Sequence, residues 1–201
     1  LSLMLADKVG ADGKVFAVDV QQEMLDIISV KLRQRNIKNV ELVRGTDKSP
    51  KLKKNSIDLA LFVDVYHEFA FPYEMMREIS QAMKVGGRVV LVEFRMEDET
   101  VPIKLVHKMT EAQAKKELSV PELRLKWTKT IGTLPWQHVL VFERLPDAGE
   151  EAEPAAEGTG TPAAAAFPET PNTQDPKDIL STPAEALAKI TLPPGFQATL
   201  F

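Results

Sequence analysis

The chain has 201 residues, 44% of them hydrophobic, with a formal net charge of −4 and no cysteine. That length allows one domain plus additional segments, and the missing thiols exclude disulfides, thiolate nucleophiles and thiolate metal sites. The acidic balance, with pI near 5.5, argues against nucleic acid as a partner, and no apolar run reaches the roughly 18 residues of a membrane-spanning helix. No signal peptide is visible, but the first residue is Leu1 rather than Met, so the compartment stays open.

Residues 2–9 read as a helix end, and Gly10-Ala11-Asp12-Gly13 as a turn. Residues 14–19 form a short apolar run that closes on Asp19 and predicts a strand. Gln21 to Arg35 is amphipathic, with Leu25, Ile28 and Leu32 on one helical face, and Asn36 suits a left-handed stop. Val40 to Arg44 predicts a second strand, closed by Gly45-Thr46-Asp47. Ile57 to Val63 is almost continuously apolar, as in a central parallel strand covered on both faces. Pro72 suits a first helical turn, and Met75, Met76, Ile79 and Met83 give that helix a buried face. Gly86-Gly87 is expected to end it, before a strand over 88–94. Thr110 to Leu118 predicts a short helix, with Thr110 as N-cap and Gln113 three residues on. Leu125 to Ile131 and Gln137 to Leu145 predict two strands that pair antiparallel at a sheet edge. The order predicts an α/β fold with a parallel sheet.

From Pro146 onward the character changes. This stretch holds nine of the fourteen prolines, nine acids and two bases. Residues 146–178 are rich in Pro, Ala, Glu, Gly and Thr, which predicts a disordered linker. Residues 179–201 recover apolar side chains (Ile179, Leu180, Leu187, Phe196 among them) and read as the start of a further domain or as a tail.

Three strand ends carry the polar residues: Asp19, then Gly45-Thr46-Asp47, then Asp64-Val65-Tyr66-His67-Glu68. In parallel α/β sheets, ligands bind at the carboxyl ends of the strands. Asp19 can accept both hydroxyls of a ribose, Val20 and Met24 can cover an adenine face, and Thr46 and Asp47 can meet the adenine amine. Asp64 would face the charged centre of the cofactor. His67 and Glu68 are candidates for proton transfer. The competing structural roles are local. Asp19 can cap the next helix, Glu68 can cap the helix after it with His67 packed alongside, and Glu93 is either a pocket acid or an exposed strand end. Trp127 and Trp136 read as core. The three histidines lack ligand-like spacing, so no metal site is expected.

These pieces resemble the class I methyltransferases that use S-adenosylmethionine (SAM). The matching stretches are Val18-Asp19-Val20 with Met24-Leu25, Val40-Glu41-Leu42-Val43 to Gly45-Thr46, Ile57-Asp58-Leu59-Ala60-Leu61, and Met83-Lys84-Val85-Gly86-Gly87-Arg88-Val89-Val90-Leu91-Val92. Val63-Asp64-Val65-Tyr66-His67-Glu68-Phe69, the stretch 101–110 and Leu134-Pro135-Trp136-Gln137-His138-Val139 resemble a bacterial subgroup that acts on small molecules. The resemblance covers residues 1–145. It implies a Rossmann-like methyltransferase sheet, SAM as cofactor and a small-molecule substrate, with Asp19, Val20, Met24, Thr46, Asp47 and Asp64 at the cofactor and His67 as base where one is needed.

The family's first strand and its glycine-rich loop are not found before residue 14. The expectation is therefore an N-terminally incomplete copy, with a sheet lacking its first strand and SAM bound poorly or not at all. Asp19 alone also fits a nicotinamide-binding fold, but Gly86-Gly87-Arg88 and the last strand pair favour the methyltransferase. In the tail, Ser181-Thr182-Pro183-Ala184-Glu185-Ala186-Leu187 and Leu192-Pro193-Pro194-Gly195-Phe196 resemble the opening segment of a β-propeller domain of the haem-binding or membrane-bound dehydrogenase-like kind found in planctomycete-type bacteria. That resemblance implies a propeller-type domain in the parent protein. The rival to the enzyme is a non-catalytic interaction module tethered to such a domain.

Overall fold

The computed structural model describes residues 1–147, which fall into two compact units, residues 1–46 and 47–147. The expectations for 148–178 and 179–201 lie outside the described residues. Of the expected linker, Pro146 and Asp147 are described. Arg124 donates its Nε to the Pro146 carbonyl at 2.8 Å, and Asp147 meets Arg144 at 2.5 Å.

The first unit contains helix α1 (Ser2–Val9), strand β1 (Val15–Asp19), helix α2 (Gln22–Gln34) and strand β2 (Val40–Arg44). β1 and β2 pair in parallel, with Asp19 opposite Arg44. The apolar stripe of α2 buries Leu25 and Leu32, while Ile28 is half-buried. Asn39 ties the unit together through its side chain, which donates to the carbonyls of Ala6 and Gly10, both at 2.9 Å.

The second unit contains strand β3 (Ile57–Val63), a 3-10 turn (Tyr66–Glu68), helix α3 (Pro72–Ala82) and strand β4 (Met83–Arg95). A second 3-10 turn (Leu105–His107), strand β5 (Lys108–Met109), helix α4 (Glu111–Leu118), strand β6 (Leu125–Ile131) and strand β7 (Gln137–Arg144) follow. The sheet order is β3-β4-β7-β6, with β5 against β4. β3 and β4 are parallel, whereas β7 runs antiparallel to both β4 and β6. The expected final hairpin is therefore present. β5 carries too few residues to leave a periodicity in the sequence.

Met76, Met83, Val89, Leu91, Leu140 and Phe142 are fully buried. Each such side chain is worth roughly 1.5–3 kcal/mol of transfer free energy, so the methionine face of α3 and the inner face of β4–β7 hold this unit together.

Three expectations change here. β3 is the terminal strand of its sheet, and Leu59 is 45% exposed, so its apolar run does not mark a strand covered on both faces. Gly86-Gly87 does not end α3, which stops at Ala82. Instead the two glycines lie in a bulge, because Ile57 pairs with Met83 whereas Leu59 pairs with Arg88. Gly86 has φ of 77°, a left-handed conformation that glycine adopts without steric cost. A Cβ on Gly87 would lie 2.8 Å from the Lys84 carbonyl. Lys84 clasps the bulge by an ion pair to Asp58 at 2.8 Å. Finally, Trp136 is 50% exposed rather than core. Trp127 is half-buried, with its indole N–H donated to Thr130 and the Lys115 ammonium 3.5 Å from its ring centre.

Candidate functional site

In the first unit, the end of β1 carries Asp19, and its Oδ1 accepts the backbone N–H of Gln21 at 2.8 Å. This is an Asx-type turn into α2. The Asp19 carbonyl also accepts the N–H of Gly45 at 2.9 Å. Asp19 and the Gly45-Thr46 end of β2 therefore sit together on one strand edge. Val20 and Met24 are 49% and 44% exposed, which leaves apolar surface beside that acid. Thr46 is exposed at the end of this unit, and Asp47 is exposed at the start of the next.

The second unit builds a different kind of site. Asp64 follows β3 with φ of 51°, a strained conformation that Asp tolerates better than most residues. Its N–H reaches the Val92 carbonyl at 2.8 Å, and its Oδ2 accepts from Gln137 Nε2 at 2.7 Å. Its Oδ1 is buried with no hydrogen-bond partner. Leaving a buried acceptor unpaired costs about 1–3 kcal/mol.

Register then brings Glu93 beside Asp64, because Val63 pairs with Val92 on β4. Glu93 is fully buried. One of its oxygens accepts the N–H of Tyr66 at 2.9 Å, and the other meets His67 Nδ1 at 2.5 Å. Burial pushes the Glu93 carboxyl above the usual range, against the opposing pull of His67 and the Tyr66 N–H. The exposed strand-end role for Glu93 is thus excluded, and the acid is the support of His67.

In the tautomer that places the proton on Nδ1, facing Glu93, the second ring nitrogen of His67 keeps its lone pair. That nitrogen lies 3.3 Å from His107 Nδ1. The tyrosine beside this cluster is no base. Tyr66 is buried and donates its hydroxyl to Glu117 at 2.8 Å, and burial together with Glu117 pushes its pKa far upward.

Forty residues of sequence separate His67 from His107, and the pairing of β3 and β5 with β4 brings them together. Glu93 carries a weak signal in the sequence, a lone acid at an apolar strand end. The capping expectation for Thr110 holds, since its Oγ accepts the Gln113 N–H at 3.0 Å. Gln113 turns instead to Glu117, at 2.9 Å, and so does not complete a capping box.

A family model described as a methyltransferase domain matches residues 1–144. The chain belongs to the methyltransferase-domain family. A demethylmenaquinone methyltransferase of Lactococcus lactis subsp. lactis is 32% identical over 89 residues, which is 44% of this chain and 35% of that protein. The chain thus spans about a third of the length of this curated relative.

Among solved structures, a SAM-dependent methyltransferase from Aquifex aeolicus superposes with a TM-score of 0.65 at 20% identity, covering 71% of this chain and 75% of that one. The (4+2)-cyclase SpnF superposes with a TM-score of 0.60 at 13% identity, covering 71% and 70%. The methyltransferase domain therefore has the Rossmann-like α/β fold that the strand order predicts, and a cyclase shares that fold.

Proposed function

We propose that this chain transfers a methyl group from SAM to a small-molecule acceptor. The observation that carries the reading is the family membership over residues 1–144. SAM, when bound, supplies a methyl group activated on a positively charged sulfur. On this reading Asp19 accepts the ribose hydroxyls, Val20 and Met24 cover the adenine, Thr46 and Asp47 meet its amine, and Asp64 faces the sulfonium region. The exposure of Val20 and Met24 supports their assignment. For Asp64, the support is a buried carboxylate oxygen with no partner, since a cation nearby offsets the cost of that unpaired oxygen.

The acceptor class follows the name of the Lactococcus relative, a demethylmenaquinone methyltransferase; in its reduced form such a quinone is an aromatic ring activated by hydroxyls. Leu105 and Val106, 69% and 73% exposed immediately before His107, offer an apolar rim for such a ring. SAM would supply its methyl group to a nucleophilic ring carbon of the acceptor, and His67 Nε2 would take the ring proton released there. Glu93 orients that imidazole through Nδ1, as the acid does in a catalytic triad. Much of the rate comes from holding acceptor and methyl in line.

The test is calorimetry with SAM together with an assay for S-adenosylhomocysteine, using a soluble naphthoquinol as acceptor. SAM binding and turnover support this reading over the poor binding expected from the missing glycine-rich loop, and Asp64→Asn should weaken SAM binding about tenfold, near 1.4 kcal/mol. A protein that binds no SAM ends the reading. A protein that binds SAM and methylates nothing favours the non-catalytic module. The propeller-like resemblance belongs to residues 181–196, outside the described residues.

A further inference from the structure

We propose that His67, His107 and Glu68 form a binding site for one divalent transition-metal ion of the zinc type. The ligand atoms available on these three residues all lie within 4.8 Å of one another. The inference stands on this cluster and needs no part of the methyl-transfer reading.

His67 Nε2 lies 3.3 Å from His107 Nδ1, a separation that a long imidazole N–H···N hydrogen bond and a shared metal ion both allow. Two ring nitrogens each about 2.0–2.1 Å from a tetrahedral zinc ion stand about 3.3–3.4 Å apart. The imidazoles are also edge to face, at 79° with centroids 5.5 Å apart, so they do not stack on each other.

The support behind the first ligand has the arrangement that metal sites require. A ligating histidine almost always gives its other N–H to a carboxylate or carbonyl, which fixes the tautomer and raises the basicity of the ligating nitrogen. Glu93, fully buried and 2.5 Å from His67 Nδ1, occupies that place. Glu68 is exposed, so its carboxylate can swing onto the ion from the solvent side and leave a fourth position open. Lys108, next to His107, turns its ammonium to the Asp98 carbonyl at 3.1 Å. Two imidazoles and one carboxylate suit zinc, cobalt or iron and disfavour magnesium or calcium, which take oxygen donors. An ion on His67 Nε2 and a proton there exclude one another, so metal loading and the base role are alternative states of one nitrogen.

The test titrates the chelator-stripped full chain with Co²⁺, followed by visible absorption and calorimetry, and then displaces it with Zn²⁺, with neither SAM nor acceptor present. One equivalent is expected, with the intense absorption of a tetrahedral cobalt site. His107→Ala and Glu68→Ala should each weaken binding at least tenfold, and Glu93→Gln should weaken it about 10–100-fold. The remaining histidine, His138, should be replaceable by Asn without effect on the titration. Circular dichroism checks that each variant is folded, and His107→Gln serves if the alanine variant is not. Wild-type binding no tighter than that of His107→Gln, or lost with His138→Asn instead, overturns the site. Because no cofactor enters the titration, failure here leaves the methyl-transfer reading standing, and failure of turnover leaves the metal site standing.

Discussion

Residues 1–46 and residues 47–147 solve the problem of placing an acid at a strand end in opposite ways. In the first unit Asp19 is held by neighbours in sequence, through the Gln21 N–H two residues on. In the second, Glu93 is buried and held by contacts 26 and 27 residues away. A local arrangement can be altered with little effect on folding, whereas a buried long-range one is part of the fold. The same contrast separates a residue free to meet a ligand from one that positions other residues.

Glu93→Ala should show the largest effect. It leaves the buried Tyr66 N–H and the His67 ring without their acceptor, and breaking such a buried pair costs about 3 kcal/mol or more. Glu93→Gln keeps an oxygen for Tyr66 and should cost clearly less. Urea unfolding of the two variants measures the difference. Equal and small losses would mean that the buried cluster contributes no more than the exposed Asp19 turn.

The contrast also explains what can be read from residues alone. Strand β1 with its terminal Asp19, the Met75, Met76 and Ile79 face of α3 and the Thr110 cap are short-range patterns of period, charge and spacing, and all three are legible, although Met83, expected on that face, begins β4. The bulge at Gly86-Gly87 is not, because a glycine pair after a helix and a glycine pair inside a strand look alike in sequence. The exposure of Leu59 is hidden too, because apolar runs do not record how many partner strands a sheet provides. The Glu93–His67–His107 cluster is invisible as a unit, since it depends on register across β3, β4 and β5. In sequence its members are three separate polar residues, each with a plausible local role.

A smaller effect comes from His138, which sits opposite Glu93 across β7 and β4. It is buried, and its Nε2 has no partner. Burial pushes its pKa below the usual 6.5; Glu97 and Glu111 oppose this, and Arg95 adds to it. A depressed folded-state pKa means that the unfolded chain binds the proton first. Stability is therefore full above 6.5 and falls as pH drops below it, by at most about 1.4 kcal/mol per pH unit. Glu93 has the opposite sign, because its raised pKa makes the folded state the better proton acceptor, so its contribution declines as pH rises above the usual glutamate value of 4.5. His138→Leu isolates the first effect. Unfolding free energies measured between pH 7.5 and 5 should fall in the parent and flatten in the variant, and parallel curves would remove His138 as the cause.

The smallest expected change in stability is the most informative about Asp19. The Asp19→Asn side chain retains an oxygen that can accept the Gln21 N–H, so the turn into α2 survives and unfolding should shift by no more than about 0.5 kcal/mol. A ribose bound through charge-assisted hydrogen bonds would still lose the ionised acceptor, which weakens SAM binding by about 1–2 kcal/mol. Chemical unfolding and SAM calorimetry on the same variant therefore separate the two roles. Unchanged stability with weakened binding identifies a ligand-binding acid that also forms a local turn. Unchanged stability with unchanged binding reduces Asp19 to the turn alone. In contrast, even the Gln substitution at Glu93 changes both readouts, because the oxygens that hold His67 and Tyr66 also hold the fold.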